Sequence, residues 1–332
     1  MTLTDLLQQR IAILDGAMGT MIQKHQLTEE DYRGDRFSDF PKSLKGNNDL
    51  LVLTQPEIIL NIHREYLEAG ADLIETNTFN ANEISMLDYQ MVDLVEELNR
   101  EAVRLAKQAA KEYSTSEKPR FVVGALGPTN KTASISPKVN DPSYRDIDFD
   151  TLAKTYFNQA KAMLEAGADA LLVETIFDTL NAKAAFFGIL EAMDQTKIHV
   201  PYMASGTITD KSGRTLSGQT TEAFLISLEH LDLLSIGLNC ALGASDLIPY
   251  VETLAQHAPY YISVYPNAGL PNAFGGYDET PETMTQNLRP LLEKQCINIV
   301  GGCCGTTPEH IRQIAELTAH YQPRPQPIHA KN

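Results

Sequence analysis

A chain of 332 residues that is 43% hydrophobic can bury one large core or two smaller ones. Its formal net charge of −16 argues against nucleic acid and anionic membrane surfaces as partners. No apolar run approaches the ~18 residues of a membrane span. The opening MTLTDLLQQR carries an acid where a secretory leader would be basic. Four cysteines in so long a chain then point to free thiols in a reducing cytoplasm.

Along the chain, short apolar runs alternate with helical patterns. Residues 11–14 read as a strand ending in Asp15-Gly16-Ala17-Met18-Gly19-Thr20. A polar excursion over 23–48 follows. A helix opens near Pro56, with Ile59, Ile62, Tyr66 and Leu67 on one face. It closes in Leu67-Glu68-Ala69-Gly70-Ala71-Asp72, the glycine at the C-terminal cap, and leads through Leu73-Ile74 into Glu75. The same module returns at 164–169, before Ala170-Leu171-Leu172-Val173 and Glu174-Thr175. Two copies of helix, glycine cap, strand and acid imply repeated units of a parallel architecture.

Four more strands are expected over 121–123, 202–204, 234–238 and 261–264. They end respectively at Gly124, Ser205, Asn239-Cys240 and Pro266-Asn267-Ala268-Gly269. An eighth, over 297–300, ends at Gly301-Gly302-Cys303-Cys304. Eight alternating units predict an α/β (β/α)8 TIM barrel over residues 1–320, with its site at the carboxyl ends of the strands. The runner-up, an open doubly wound sheet, lacks a G-x-G-x-x-G after the first strand. The loops over 16–48, 127–149, 207–220 and 266–281 should crowd the site face, and the proline-rich tail over 321–332 should be extended.

The stretch INIVGGCCGTTPEHI concentrates the chemistry. Thr307 suits a helix N-cap and Pro308 the first helical position, so two thiols sit on the turn between a strand and a helix. Glycines there would supply backbone angles that other residues resist. On this stretch alone, metal ligation, inert burial and a strained vicinal disulfide all remain open. Cys240, however, ends the sixth strand at the same barrel face as Cys303 and Cys304. Three protein thiolates with a fourth position open is a catalytic zinc pattern. Cys296 begins the eighth strand, roughly 20 Å from Cys303 at extended rise, and should be an ordinary buried thiol. No histidine ends a strand; His310 reads as a surface or packing residue.

Three sulfur ligands make zinc a poor source of hydroxide but a good holder of a fourth, still nucleophilic thiolate. That favours attack by a substrate thiol on an alkyl group. Asp15, Glu174 and Glu75 also end strands at this face and are placed to hold an ammonium group. The Gly16-Ala17-Met18 N–H groups could take a carboxylate, and Asn239 and Asn267 offer amides for orientation. The substrate that fits is an α-amino acid bearing a thiol.

The segments DGAMGTMIQ (15–23), ADLIETNTFNAN (71–82), LLVETIFDTLNA (171–182), GLNC (237–240), PNAG (266–269) and GGCCGTTPEHI (301–311) resemble the homocysteine methyltransferase family. The resemblance implies a (β/α)8 barrel, zinc on Cys240, Cys303 and Cys304, homocysteine as methyl acceptor, and Glu174 as the acid that binds the amino acid. Segments 127–150 and 205–224 look more like the homocysteine-binding module of cobalamin-dependent methionine synthase than the betaine or S-methylmethionine enzymes. On that likeness methylcobalamin, recharged from 5-methyltetrahydrofolate, would be the donor. The chain stops at Asn332 and carries no D-x-H-x-x-G cobalamin-ligand motif. Cobalamin- and folate-binding modules would therefore act as partners from outside, on an excised module or a split subunit. The rival readings are a self-sufficient betaine or S-methylmethionine enzyme and a non-catalytic binder of thiol amino acids.

Overall fold

The computed structural model describes residues 1–273 and 275–325. Eight parallel strands form one sheet: β1 (Ala12–Ile13), β2 (Leu73–Glu75), β3 (Phe121–Leu126), β4 (Ala170–Ile176), β5 (Tyr202–Gly206), β6 (Ser235–Gly243), β7 (Tyr261–Asn267) and β8 (Ile299–Val300). Neighbours pair in sequence order from β2 to β8, and β8 pairs with β1. The ring closes between β1 and β2 through the Leu14–Leu73 bridge and the Asp15 N–H donating to Leu73 O at 3.0 Å. Helices follow every strand, as the (β/α)8 reading requires.

Alternation along each strand sorts side chains into two cores. Ile74, Leu171, Val173, Ile262 and Val264 face outward and pack under the helices. Ala12, Leu14, Leu73, Val123, Leu172, Met203, Tyr261, Tyr265 and Ile299 fill the barrel interior. Leu3, Leu6 and Leu7 of the opening helix join that interior cluster, so this helix stoppers the amino end of the barrel. The apolar plug at one end leaves the other as the place for chemistry.

The repeated module behaves as its sequence implies. The helices Pro56–Ala69 and Phe149–Ala166 end at Gly70 (φ +116°) and Gly167 (φ +93°), a left-handed cap that costs glycine little. The aspartate two residues later binds the backbone of the preceding strand. Asp72 accepts from Ile13 N–H at 3.0 Å, and Asp169 from Val122 N–H at 2.8 Å. Each also holds a cation: Arg10 bridges Asp72 with two bonds of 2.6 and 2.7 Å, and Lys107 meets Asp169 at 2.8 Å.

The loop over 16–48 is more ordered than a polar excursion suggests, holding helices Met18–Gln23 and Glu29–Arg33. Of the proline-rich tail, residues 326–332 lie outside the described residues. Residues 322–325 have no regular structure. There the Arg324 guanidinium donates to Ala255, Ala258 and Tyr260 carbonyls at 2.9–3.0 Å, closing the end of helix Ala244–His257. No helix of the described residues is long and apolar enough to cross a membrane.

His63 is fully buried in helix Pro56–Ala69, and neither ring nitrogen has a partner. Burial holds its pKa down to about 4. The unfolded chain therefore takes up a proton near pH 6.5 that the native state refuses. Stability is fully present above that pH and is lost as pH falls towards 4, by about 3 kcal/mol in all. His63→Leu should lessen the acid-side loss: urea midpoints at about pH 7 and pH 5 should differ less in the variant than in the parent. An unchanged difference would show that His63 does not control acid stability.

Candidate active site

Sulfur reaches the barrel mouth from β6 and β8, carboxylate from β1, β2 and β4. Cys240, Cys303 and Cys304 place their Sγ atoms within 4.8 Å of one another, and Cys240 and Cys304 are 3.8 Å apart. That separation is far beyond a disulfide bond, and all four cysteines are free. Cys296 lies apart, buried against the outer core.

The backbone reaches this arrangement by departing from regular strands. Register slips between Asn239 and Gly243 on β6, and between Val173 and Ile176 on β4. At these irregularities Cys240 (φ +61°), Ala241 (φ +57°) and Thr175 (φ +54°) are left-handed without being glycine. Such backbone is rare and costs free energy, and it re-aims the side chains beside it. Here those are Cys240 and Glu174. Asn239 ties the two irregular strands together. Its Oδ1 accepts from Thr175 N–H (3.1 Å) and Ser205 Oγ (2.7 Å), and its Nδ2 donates to Thr175 Oγ1 (2.9 Å). Its Nδ2 also lies 3.9 Å from Cys303 Sγ. The Asn239 amide is thus engaged with the protein, as a strut beside the sulfurs.

The Cys303-Cys304 turn is fixed by its own backbone. Cys303 N–H donates to Pro266 O at 2.7 Å, Ala268 N–H to Cys304 O at 2.9 Å, and Thr306 Oγ1 to Cys303 O at 2.7 Å. The expectation that both leading glycines supply unusual angles needs correction. Gly301 and Gly302 are required for space: a Cβ on Gly301 would lie 2.8 Å from Asp15 O, and one on Gly302 2.5 Å from Thr306. Only Gly305, beyond the cysteines, is left-handed (φ +83°), with Tyr277 packed over it. Thr307 and Pro308 do begin a helix, Pro308–Thr318. His310 packs there, hydrogen-bonded to Thr307 and to Glu279 O.

The three sulfurs polarise one another. Sulfur contacts from Cys240 and Cys303 hold Cys304 far below the usual thiol range, and the same contacts push Cys303 well up. Three soft donors converging on one point fit a thiophilic divalent ion with an open position.

Asp15 and Glu174 are buried carboxylates and Glu75 is half-buried with its Oε1 enclosed, and no cation is among the groups that set their titration. Burial first, and then the charge of Glu75, pushes Asp15 and Glu174 well above the usual carboxylate range. Burial pushes Glu75 up to about 7. Asp15 Oδ2 accepts from Glu75 N–H at 3.0 Å, while Glu75 Oε1 has no hydrogen bond. Asn267 Oδ1, at the end of β7, is likewise buried and unpartnered. Gly16 lies where a Cβ would come 2.8 Å from the Tyr66 ring. The Ala17 N–H donates to Thr306 Oγ1 at 3.1 Å, and Ala17 O accepts from Tyr66 at the same distance.

A model of the family described as homocysteine S-methyltransferase matches residues 12–318. The chain belongs to that family. Three crystal structures of the homocysteine methyltransferase MmuM from Escherichia coli share the fold of this family member. The metallated form is 20% identical with a TM-score of 0.72, and the oxidized form 20% with 0.73. The apo form is 19% identical with a TM-score of 0.65. Each alignment covers 95% of this chain and 98% of the other.

These matches correct the reading of the chain as a module of cobalamin-dependent methionine synthase. The barrel described here corresponds to virtually the whole of a homocysteine methyltransferase chain. Methylcobalamin as cofactor, cobalamin- and folate-binding modules as partners, and a 5-methyltetrahydrofolate-type activity are withdrawn with that reading. The physical reason lies in where the motifs fall. GLNC, PNAG and GGCCGTTPEHI fall at the ends of β6, β7 and β8 around the sulfur cluster, a region the resemblance assigns to the acceptor and not to the donor. Segments 127–150 and 205–224, on which the cobalamin likeness rested, are mostly loops after β3 and β5.

Three groups at the mouth escaped the sequence reading. Tyr265 follows Tyr261 and Ser263 in the inward row of β7, so strand period alone would have found it. Tyr277 and Thr306 are brought in by loop packing and have no local signal.

Proposed function

We propose that this chain is a metal-dependent homocysteine S-methyltransferase that works as a self-contained barrel on a small cationic methyl donor of the S-methylmethionine or betaine type. The observation that carries the reading is the meeting of three thiol sulfurs and three enclosed carboxylates, two of them fully buried, at one barrel mouth. Cys240, Cys303 and Cys304 would hold the ion, zinc by its preference for sulfur. When bound, zinc supplies a Lewis acid that favours the thiolate form of an incoming thiol at neutral pH.

The protein's own groups do the rest. Asp15 and Glu174 receive the substrate ammonium, which relieves their mutual repulsion. The Ala17 N–H is engaged with Thr306, so the substrate carboxylate falls to the Gly16 and Met18 N–H groups of the same turn. Asn267 orients from β7, and Asn239 acts by holding the two irregular strands in place. The homocysteine thiol loses its proton to solvent, and its sulfur attacks the donor methyl in line. A sulfur–carbon bond forms as the donor's carbon–sulfonium or carbon–ammonium bond breaks, and the electron pair stays on the departing group. That group leaves neutral, so it needs no general acid. A thioether leaves more readily than a tertiary amine, which favours the sulfonium donor.

Residues 1–320 form the catalytic barrel in this reading, with 321–332 as a tail. Four free thiols suit a reducing cytoplasm. Zinc-loaded protein is expected to form methionine briskly from homocysteine and S-methylmethionine, more slowly from betaine, and not from 5-methyltetrahydrofolate. The assay follows methionine with each donor in turn. Methionine formed from methylcobalamin alone would overturn the proposal, and stoichiometric homocysteine binding without turnover on any donor would leave only a binder.

A further inference from the structure

Two buried polar groups of the mouth remain without a role. Glu75 Oε1 is an acceptor with no donor, and the Tyr265 hydroxyl, 2% exposed, has only the Ser205 hydroxyl close to it, outside good hydrogen-bond geometry. They belong to one neighbourhood: the Tyr265 hydroxyl lies within electrostatic reach of Glu174, Glu75 and Cys303, with Ser205 beside it. Burying such groups unpaired costs free energy, and native proteins keep them where a ligand completes the bonding. Glu75 gives a carboxylate at the end of β2 without a cation, and Tyr265 a donor on β7 between the acidic and the sulfur sides.

We propose that Glu75 and Tyr265 form the floor of the amino-group subsite, Glu75 as a third carboxylate that contacts the substrate ammonium and Tyr265 as the positioning residue that steadies the ionised carboxylates. The inference deepens the reading of the site as one for a thiol amino acid, and rests on it. Burial first, and then the charge of Glu75, favours the neutral forms of Asp15 and Glu174, and burial alone favours that of Glu75. An entering ammonium supplies the missing positive charge, and the Tyr265 hydroxyl then has ionised oxygens to donate to. The subsite therefore selects for the α-ammonium group itself, in addition to the thiol.

The test compares homocysteine with 4-mercaptobutanoate, which keeps the thiol and carboxylate but lacks the amine. Calorimetric binding to the zinc-loaded protein gives a ratio of affinities in which the sulfur contribution cancels. The parent should prefer homocysteine by about 100-fold, and Glu75→Gln should narrow that preference about tenfold or more. Tyr265→Phe should narrow it about threefold, and carries the test if Glu75→Gln fails to fold. A merely structural role would weaken both ligands alike and leave the ratio unmoved. An unchanged ratio in the folded Glu75→Gln protein, or in Tyr265→Phe where that variant carries the test, overturns the proposal and leaves the parent reading intact. Binding of neither thiol by the parent would remove both.

Discussion

Cys304→Ser should leave the protein folded but strip it of both metal and turnover. Cys304 is the sulfur whose pKa its contacts with Cys240 and Cys303 push down, and it lies 3.8 Å from Cys240. Serine removes the soft donor and leaves only two sulfurs, too few for a closed-shell ion that takes three or four ligands. Zinc after dialysis should fall from one equivalent to below about 0.1, and methyl transfer should drop about a thousandfold, the several kcal/mol that Lewis-acid activation is worth. Cys240→Ser and Cys303→Ser should behave alike. Cys296→Ser is the control: this thiol packs in the outer core and should leave metal and rate unchanged. Metal analysis by emission spectroscopy beside the rate assay decides it, and full zinc retention in Cys304→Ser would remove the ion from this site.

The largest expected effect on stability is at the opposite end of the barrel. Asp72 is wholly buried, and binds Arg10 through two bonds, the Ile13 N–H, and Arg120 at 3.5 Å. Asp72→Ala leaves the Ile13 N–H without its carboxylate acceptor and the mostly buried Arg120 without its counter-ion, with only the Gly70 and Ala71 carbonyls left to it. Breaking one side of a buried charge network costs about 3–5 kcal/mol. Arg10→Ala should cost less, about 1 kcal/mol, because Arg10 is 39% exposed and Asp72 keeps Arg120 and Ile13. The urea midpoint of each variant against the parent measures both. Equal losses would show that the pair, and not the buried carboxylate, is what the fold depends on. This network closes β1 against β2, where regular pairing is reduced to one bridge.

Much of this was legible in the chain because it is written in local patterns. The eight apolar runs are short, and the repeated Leu-Glu-Ala-Gly-Ala-Asp module states its helix, its left-handed cap and its strand in order. Parallel order and closure follow from repetition and the right-handed crossover. Since active sites of such barrels lie at the carboxyl ends of strands, placing Cys240, Cys303 and Cys304 together needed only the strand ends. Cys296 was separated from them by the same reasoning.

Other features were decided by tertiary structure. The left-handed Thr175, Cys240 and Ala241 are not glycines, so no residue type announces them; the Asn239 strut holds them there. Of the glycines expected to supply unusual backbone angles at the cysteine turn, Gly305 does so, whereas Gly301 and Gly302 are needed for space, because Asp15 and Thr306 approach so closely. His63 reads as an ordinary helical residue until the packing closes over it. The donor was misread for a related reason: the motifs specify the acceptor's end of the mouth, and loop resemblance was asked to report chemistry that those loops do not contain. What the sequence by itself determined is the barrel, the sulfur cluster at its mouth and the family. What only the tertiary structure decided is which polar groups are left unpaired at that mouth, because pairing depends on every strand that surrounds it.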